Sequence, residues 1–313
     1  MRYRGRHLAA ALLTAPLLVT AACSGNVEGF QGASSGANEV RLLQQPWGDL
    51  VVENQIVSQL LGTLGYEVEV QQLSVPIGAQ ALANGQIDAY LGNWWPSQRP
   101  AFREHLGKGK VKVLGTLVTG TKYAPAVPKY VVEEYGIDSL AELDKHPKLF
   151  GRRFLGIEPG TPGNQYIADA ISQNAYGLGD WQLVSSSTAA MLAEVNRRVA
   201  QHAPVVFLGW KPHWMNVQWD LVYLDDPRDV WPGAGEIRAV CSREFPNEKP
   251  NVARFLSQIK VDRATASDWI YQLSKEGRKA SDIARDWIRE HPETVANWLR
   301  GVKTLDGRQA PIP

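Results

Sequence analysis

The chain has 313 residues, and its 33 Lys and Arg are matched by 32 Asp and Glu. That balance provides no basic field for nucleic acid. Two cysteines, Cys23 and Cys241, exclude a disulfide-rich scaffold, so core packing has to supply stability, and about 270 ordered residues bury enough apolar surface for two domains.

Arg2, Arg4 and Arg6 precede an apolar stretch from Leu8 to Thr20. It has the length of a signal-peptide core and is too short to span a bilayer. It ends in Val19-Thr20-Ala21-Ala22-Cys23-Ser24-Gly25. Small residues before a Cys, with a polar stretch after it, resemble the bacterial lipobox. The resemblance implies that residues 1–22 are a signal peptide and that Cys23 is acylated. Without residues 1–22 the chain carries 30 basic and 32 acidic residues, a formal charge of −2. An acylated Cys23 leaves Cys241 without a disulfide partner. No later segment is long and apolar enough to cross a membrane, so a lipid anchor on the extracytoplasmic side is the expected attachment.

Residues 23–38 read as a lipidated flexible tether. Within it, Gly32-Ala33-Ser34-Ser35-Gly36 matches Gly-x-Ser-x-Gly. A nucleophile elbow needs a strand before the Ser and a helix after it, and neither is predicted. From Glu39 the pattern is α/β. It predicts a strand over 40–43, then a helix over 50–64 that stops at Gly65, with Asp49 a candidate cap. A strand over 66–73, a helix over 78–84 and strands over 87–91 and 111–117 follow. This order argues for parallel βαβ units. A second block has segments over 127–135 and 139–144 and a strand over 154–157. A helix over 165–176, capped by Thr161 or Asn164, a strand over 181–184 and an amphipathic helix over 188–201 complete it. The apolar run 204–208 reads as a strand covered on both faces, and it delivers Trp210 at its C-terminal end, where ligands sit in open α/β sheets. Helices are predicted over 251–259, 264–276, 281–290 and 293–302.

Four segments set an aromatic residue beside a turn former: Pro46-Trp47-Gly48-Asp49, Gly92-Asn93-Trp94-Trp95-Pro96, Thr121-Lys122-Tyr123-Ala124-Pro125 and Leu208-Gly209-Trp210-Lys211-Pro212-His213-Trp214. Rings on loop tips make cavity walls. Several π faces around one volume bind a quaternary ammonium, a cation with no hydrogen-bond donor. Trp181, Trp269, Trp287 and Trp298 fall at core spacing and read as packing residues. Trp95 and Trp214 are read as shields beside the box.

These segments, with Ile157-Glu158-Pro159-Gly160 and Gly163-Asn164, are similar to the solute-binding proteins of ABC importers for choline and glycine betaine, and most similar to the choline-binding branch. The resemblance runs from about Val40 to Trp298. It implies a two-lobed, clamshell type II periplasmic-binding-protein fold, each lobe a mainly parallel sheet flanked by helices. Lobe 1 would be 39–117 with 237–313 and lobe 2 would be 118–236, hinged near 116–119 and 236–239. Solute would hold the lobes closed for an ABC permease and its ATPase to read, which requires contact with both. Carried over by position, Trp47, Trp94, Tyr123 and Trp210 would wall the box. Asp49 would accept the choline hydroxyl and attract the ammonium, and Asn164 would touch the ligand tail.

A carboxylate at Asp49 favours choline, since a ligand carboxylate beside it costs several kcal/mol unless one of the two is protonated. Arg99 keeps glycine betaine, proline betaine or carnitine as the alternative. A monomer without cofactor or metal is expected. A lipid-anchored hydrolase is the remote alternative: His105, His146, His202, His213 and His291 show no ligand spacing, and His213 reads as a satisfied loop histidine rather than a base.

Overall fold

In the computed structural model, which describes Gly36 and residues 38–311, the chain opens with strand β1 (Glu39–Gln44) and helix α1 (Gly48–Thr63). The predicted leader, Cys23 and Ser34 lie outside the described residues. Helix α1 forms because Leu50, Ile56, Val57, Leu60 and Leu61 recur at helical spacing, and all five are buried. It ends before Gly65, whose φ of +91° suits glycine. Then come β2 (Glu67–Gln72), α2 (Val75–Ala83), β3 (Ala89–Trp95) and α3 (Arg99–Gly107).

Strand β4 (Val111–Pro128) is far longer than the predicted 111–117. Beyond it lie β5 (Arg153–Leu155), β6 (Gln182–Val184), β7 (Phe207–Lys211), β8 (Leu221–Tyr223) and β9 (Ala234–Ser242). Among the described residues these nine strands make one sheet, ordered β2-β1-β3-β9-β4-β7-β5-β6, with β8 also on β4. The sheet is parallel toward both edges, where β1 pairs β2 and β3, and β5 pairs β6 and β7. It is antiparallel in the middle, where β9 pairs β3 and β4, and β4 pairs β7 and β8. The length of β4 follows from those partners. Val111 to Lys122 match β9, and Lys122 to Ala126 match β7, so its backbone groups stay paired across both parts of the sheet.

The C-terminal helices Arg263–Ser274 and Ala280–Glu290 pack on α1. Trp269, Trp287 and Trp298 lock this layer, with successive ring centroids 5.3 and 5.1 Å apart. Trp181 packs on Phe150 at 5.8 Å. These four tryptophans are core residues, as their spacing predicts.

Candidate functional site

Five of the six sequence-predicted ligand residues line one cavity. Trp47 is the extended residue before α1 (φ −92°, ψ 131°), and Asp49 lies in that helix's first turn. Trp94 sits near the end of β3. Tyr123 of β4 and Trp210 of β7 are register partners across an antiparallel ladder. The cavity has about 420 Å³ of empty space, its open mouth included, and all five line it. Trp94 and Tyr123 have centroids 6.0 Å apart with planes tilted 49°, and Tyr123 and Trp210 are 6.3 Å apart at 59°. Tilted rings at these distances cannot stack on one another and leave π faces open to the space between.

The sixth, Asn164, is not in the cavity wall. It lies in the helix Pro162–Ser172 and turns its side chain away, into the fold. Its Oδ1 accepts from Ile157 N at 2.9 Å, and its Nδ2 donates to Ile157 O, Glu158 O and Ser185 Oγ. With donors and acceptor engaged, Asn164 fixes the 157–158 segment from behind. Ile157, Thr161 and Pro162 then supply that side of the wall. Thr161, not Asn164, precedes the helix, and it makes no side-chain cap.

Sequence reasoning named neither Ser97 nor Gln98 as a wall residue. Both line the cavity, and both are buried. Arg99 does not line it. It faces an open depression with Pro100, Arg103 and Tyr166. Trp95 and Trp214 do not line the cavity: the Arg238 guanidinium sits 4.1 Å from the Trp95 ring centroid, and Lys275 Nζ sits 4.0 Å from that of Trp214. His213 is buried, edge-on to Trp210 at 5.0 Å, and its Nδ1 accepts from Met215 N. Burial, with Lys275 adding to it, pushes the ring down to about 3, so it is a neutral prop for Trp210.

Among the described residues that line the cavity, Asp49 is the only charged group. Burial pushes its carboxyl up to about 6, against the opposing pull of backbone N–H groups at the helix start. One turn along α1, Glu53 is buried on the same face. Burial first, and then the charge of Asp49, hold Glu53 well above the ordinary range. Glu53 was overlooked, though its place between Leu50 and Val57 on the apolar face is a legible signal. The Trp47 Nε1–H is buried without a hydrogen-bond partner among the described residues. The site therefore offers aromatic faces, one titratable carboxyl and one unused indole donor. Among the described residues, its wall carries no His, Cys or Lys, and no group of His, Cys, Asp and Glu would bind a metal.

Residues 38–290 match the family described as the substrate-binding domain of the ABC-type glycine betaine transport system. Among solved structures, the fold is similar to an ABC-transporter choline-binding protein in complex with choline. The TM-score is 0.84 and the identity 30%, over 88% of this chain and 96% of that one. It is also similar to a lactococcal protein in its closed form with glycine betaine, at TM-score 0.73 and 26% identity, over 83% of this chain and 99% of that one. A glycine betaine/carnitine transport binding protein of Listeria monocytogenes is 34% identical over 152 residues, 49% of this chain and 50% of that protein. The match thus spans about half the length of the Listeria protein.

Proposed function

Because this chain belongs to the family of substrate-binding domains of ABC-type glycine betaine transport systems, a family of extracytoplasmic solute-binding proteins rather than enzymes, we propose that its own solute is choline. The fold is the two-lobed type II periplasmic-binding-protein fold of its structural relatives. The observation that carries the proposal is a cavity with four aromatic rings and one carboxyl, and with no cationic side chain in its wall. The trimethylammonium of choline lies among Trp47, Trp94, Tyr123 and Trp210. Each desolvated ring contributes about 0.5–2 kcal/mol. Together they approach the roughly 8 kcal/mol of a micromolar site before ordering costs. Choline's hydroxyl donates to Asp49, and its oxygen accepts from Trp47 Nε1. Asn164 supports the opposite wall without touching the ligand.

In this reading residues 39–117 and 237–313 form one lobe and 118–236 the other, with β4 and β9 as the crossings. Asp49, Trp47 and Trp94 then belong to one lobe and Tyr123 and Trp210 to the other, so one ligand stabilises the closed form by touching both. The permease and ATPase of an ABC importer receive the closed form. Cys23 anchors the protein by lipid, and it works as a monomer.

Glycine betaine is the second reading. The family description favours it, and so does the Asp49 carboxyl at about 6, since a protonated Asp49 donates to a ligand carboxylate. Arg99, the group that would draw a carboxylate electrostatically, faces away from the cavity. Titration calorimetry of the purified protein with each solute, at about pH 5.5 and about pH 7.5, separates the two. Tighter choline binding at the higher pH supports the proposal. Betaine preferred at both values replaces choline with betaine.

A further inference from the structure

Arg238 of β9 stands in register with Asn93 of β3 on one side and with Thr116 of β4 on the other. Its Nε and Nη2 both donate to Asn93 Oδ1, at 3.1 and 2.9 Å. A guanidinium has donors only and does not lose its proton in a folded protein. Asn93 must therefore turn its carbonyl toward Arg238 and its Nδ2 away. That Nδ2 donates to Gln98 Oε1 at 3.2 Å. Gln98 in turn places Nε2 toward Tyr90 Oη at 3.0 Å and Gly92 O at 3.1 Å. Asn93 and Tyr90 are fully buried and Gln98 almost so, so bulk water does not stand in for any member of this series.

The direction of the Asn93 amide is set at Arg238, which is not in the cavity wall, and it is passed to Gln98, which is; the Gly92 carbonyl, an acceptor only, holds the Gln98 amide in the same sense from its other end. Both amide hydrogens of Gln98 are engaged. What remains for a ligand is the second lone pair of Oε1. The Gln98 wall can accept a hydrogen bond or polarise against a cation, and it cannot donate.

We propose that Arg238 is a specificity-determining residue acting through Asn93 and Gln98: by holding the Gln98 amide in one orientation, it makes that wall favourable to a quaternary ammonium alcohol and unfavourable to a ligand carboxylate. The proposal rests on the reading that the cavity takes quaternary ammonium solutes. Reversing the amide would put N–H donors at the same wall and favour the zwitterion. An unpaired polar group at such a wall discriminates strongly because neither partner finds water instead.

The test reads the ratio of dissociation constants, glycine betaine over choline, by calorimetry on the purified protein. Arg238→Met releases Asn93 and removes one of the two constraints on the Gln98 amide, the other being Gly92 O. Asn93→Asp replaces the amide with a carboxylate that pairs with Arg238 and offers Gln98 acceptors only, which draws Nε2 toward position 93 in competition with Gly92 O. Thermal unfolding verifies that each variant folds, and Asn93→Asp decides the matter where Arg238→Met does not fold. The expected result is a ratio about tenfold lower in either variant. A folded variant whose ratio stays within about twofold of the parent, or which loses both solutes equally, overturns the proposal and leaves Arg238 a packing residue. Parent protein that binds neither solute defeats the underlying reading before any variant is made, and this proposal falls with it.

Discussion

Tyr123 occupies the space that a side chain on Gly163 would need: a Cβ built there would stand 2.0 Å from Tyr123 Oη. The helix Pro162–Ser172 thus starts against the edge of a cavity ring. Gly163→Ala must displace the ring or the helix start. The expected outcome is choline affinity at least about tenfold weaker, with about 1–3 kcal/mol of stability lost to overpacking. Calorimetry and thermal unfolding measure the two. Unchanged affinity would mean that the Tyr123 ring is not a binding wall.

Asp49 predicts a pH dependence with a definite sign. Its ordinary value of 3.8 is raised to about 6 by burial. Below about pH 6 the carboxyl is neutral and loses its attraction for a cation, so choline affinity drops as pH falls, by no more than about tenfold per unit. Stability of the empty protein moves the other way. The folded state holds the proton more tightly than the unfolded chain, so between about pH 4 and about pH 6 stability declines as pH rises, by about 3 kcal/mol at most. Glu53, also held well above its ordinary value by burial, acts in the same sense. Asp49→Asn should flatten the step in affinity. A choline affinity constant from about pH 5 to about pH 7.5 in the parent protein would remove Asp49 from the site.

Ring faces rather than bulk should carry the affinity. Trp210 is 7% exposed and Trp94 8%, so truncation to Ala perturbs the fold as well as the ligand. Trp210→Phe keeps a π face and should cost less than Trp210→Leu, which should weaken choline by about tenfold or more, the equivalent of one good cation–π contact. Parallel titrations with choline and its uncharged isostere 3,3-dimethylbutanol separate π attraction from apolar contact. Equal losses for both probes would count against a cation–π box.

Asn164 separates support from contact. Asn164→Ala strips Ile157 N of its partner and leaves Ile157 O with Ser186 N alone, at a cost of about 1–3 kcal/mol. A lowered unfolding temperature with weakened binding is the expected pair of results. Weakened binding at an unchanged unfolding temperature would restore Asn164 as a direct ligand contact.

Helix α1 and strand β1 were legible because local periodicity already states which face is buried. The aromatic segments were legible as a set, but their expected place on loop tips was wrong: Trp94, Tyr123 and Trp210 stand within β3, β4 and β7, and Trp47 alone sits at a loop-to-helix junction. Strand β9 was not: it was read only as a crossing near 236–239. Both of its edges are paired, to β3 and β4, and Arg238 is buried between the buried Ile237 and Ala239. No simple alternation signals such a strand. The same limit applies to Asn164, whose motif gave the residue but not the direction of its side chain.

What the sequence determined by itself is the chemistry available: rings, a carboxyl on the first turn of α1, and a charge balance without a basic field. What only the tertiary structure decided is how those groups are held. Gln98 and Arg238 are far apart in the chain, and they are joined through Asn93 only because β9 inserts between β3 and β4. Burial, likewise, and not residue type, lifts Asp49 toward neutral pH. Desolvation and hydrogen-bond direction are properties of what surrounds a group, and those surroundings come from distant parts of the chain.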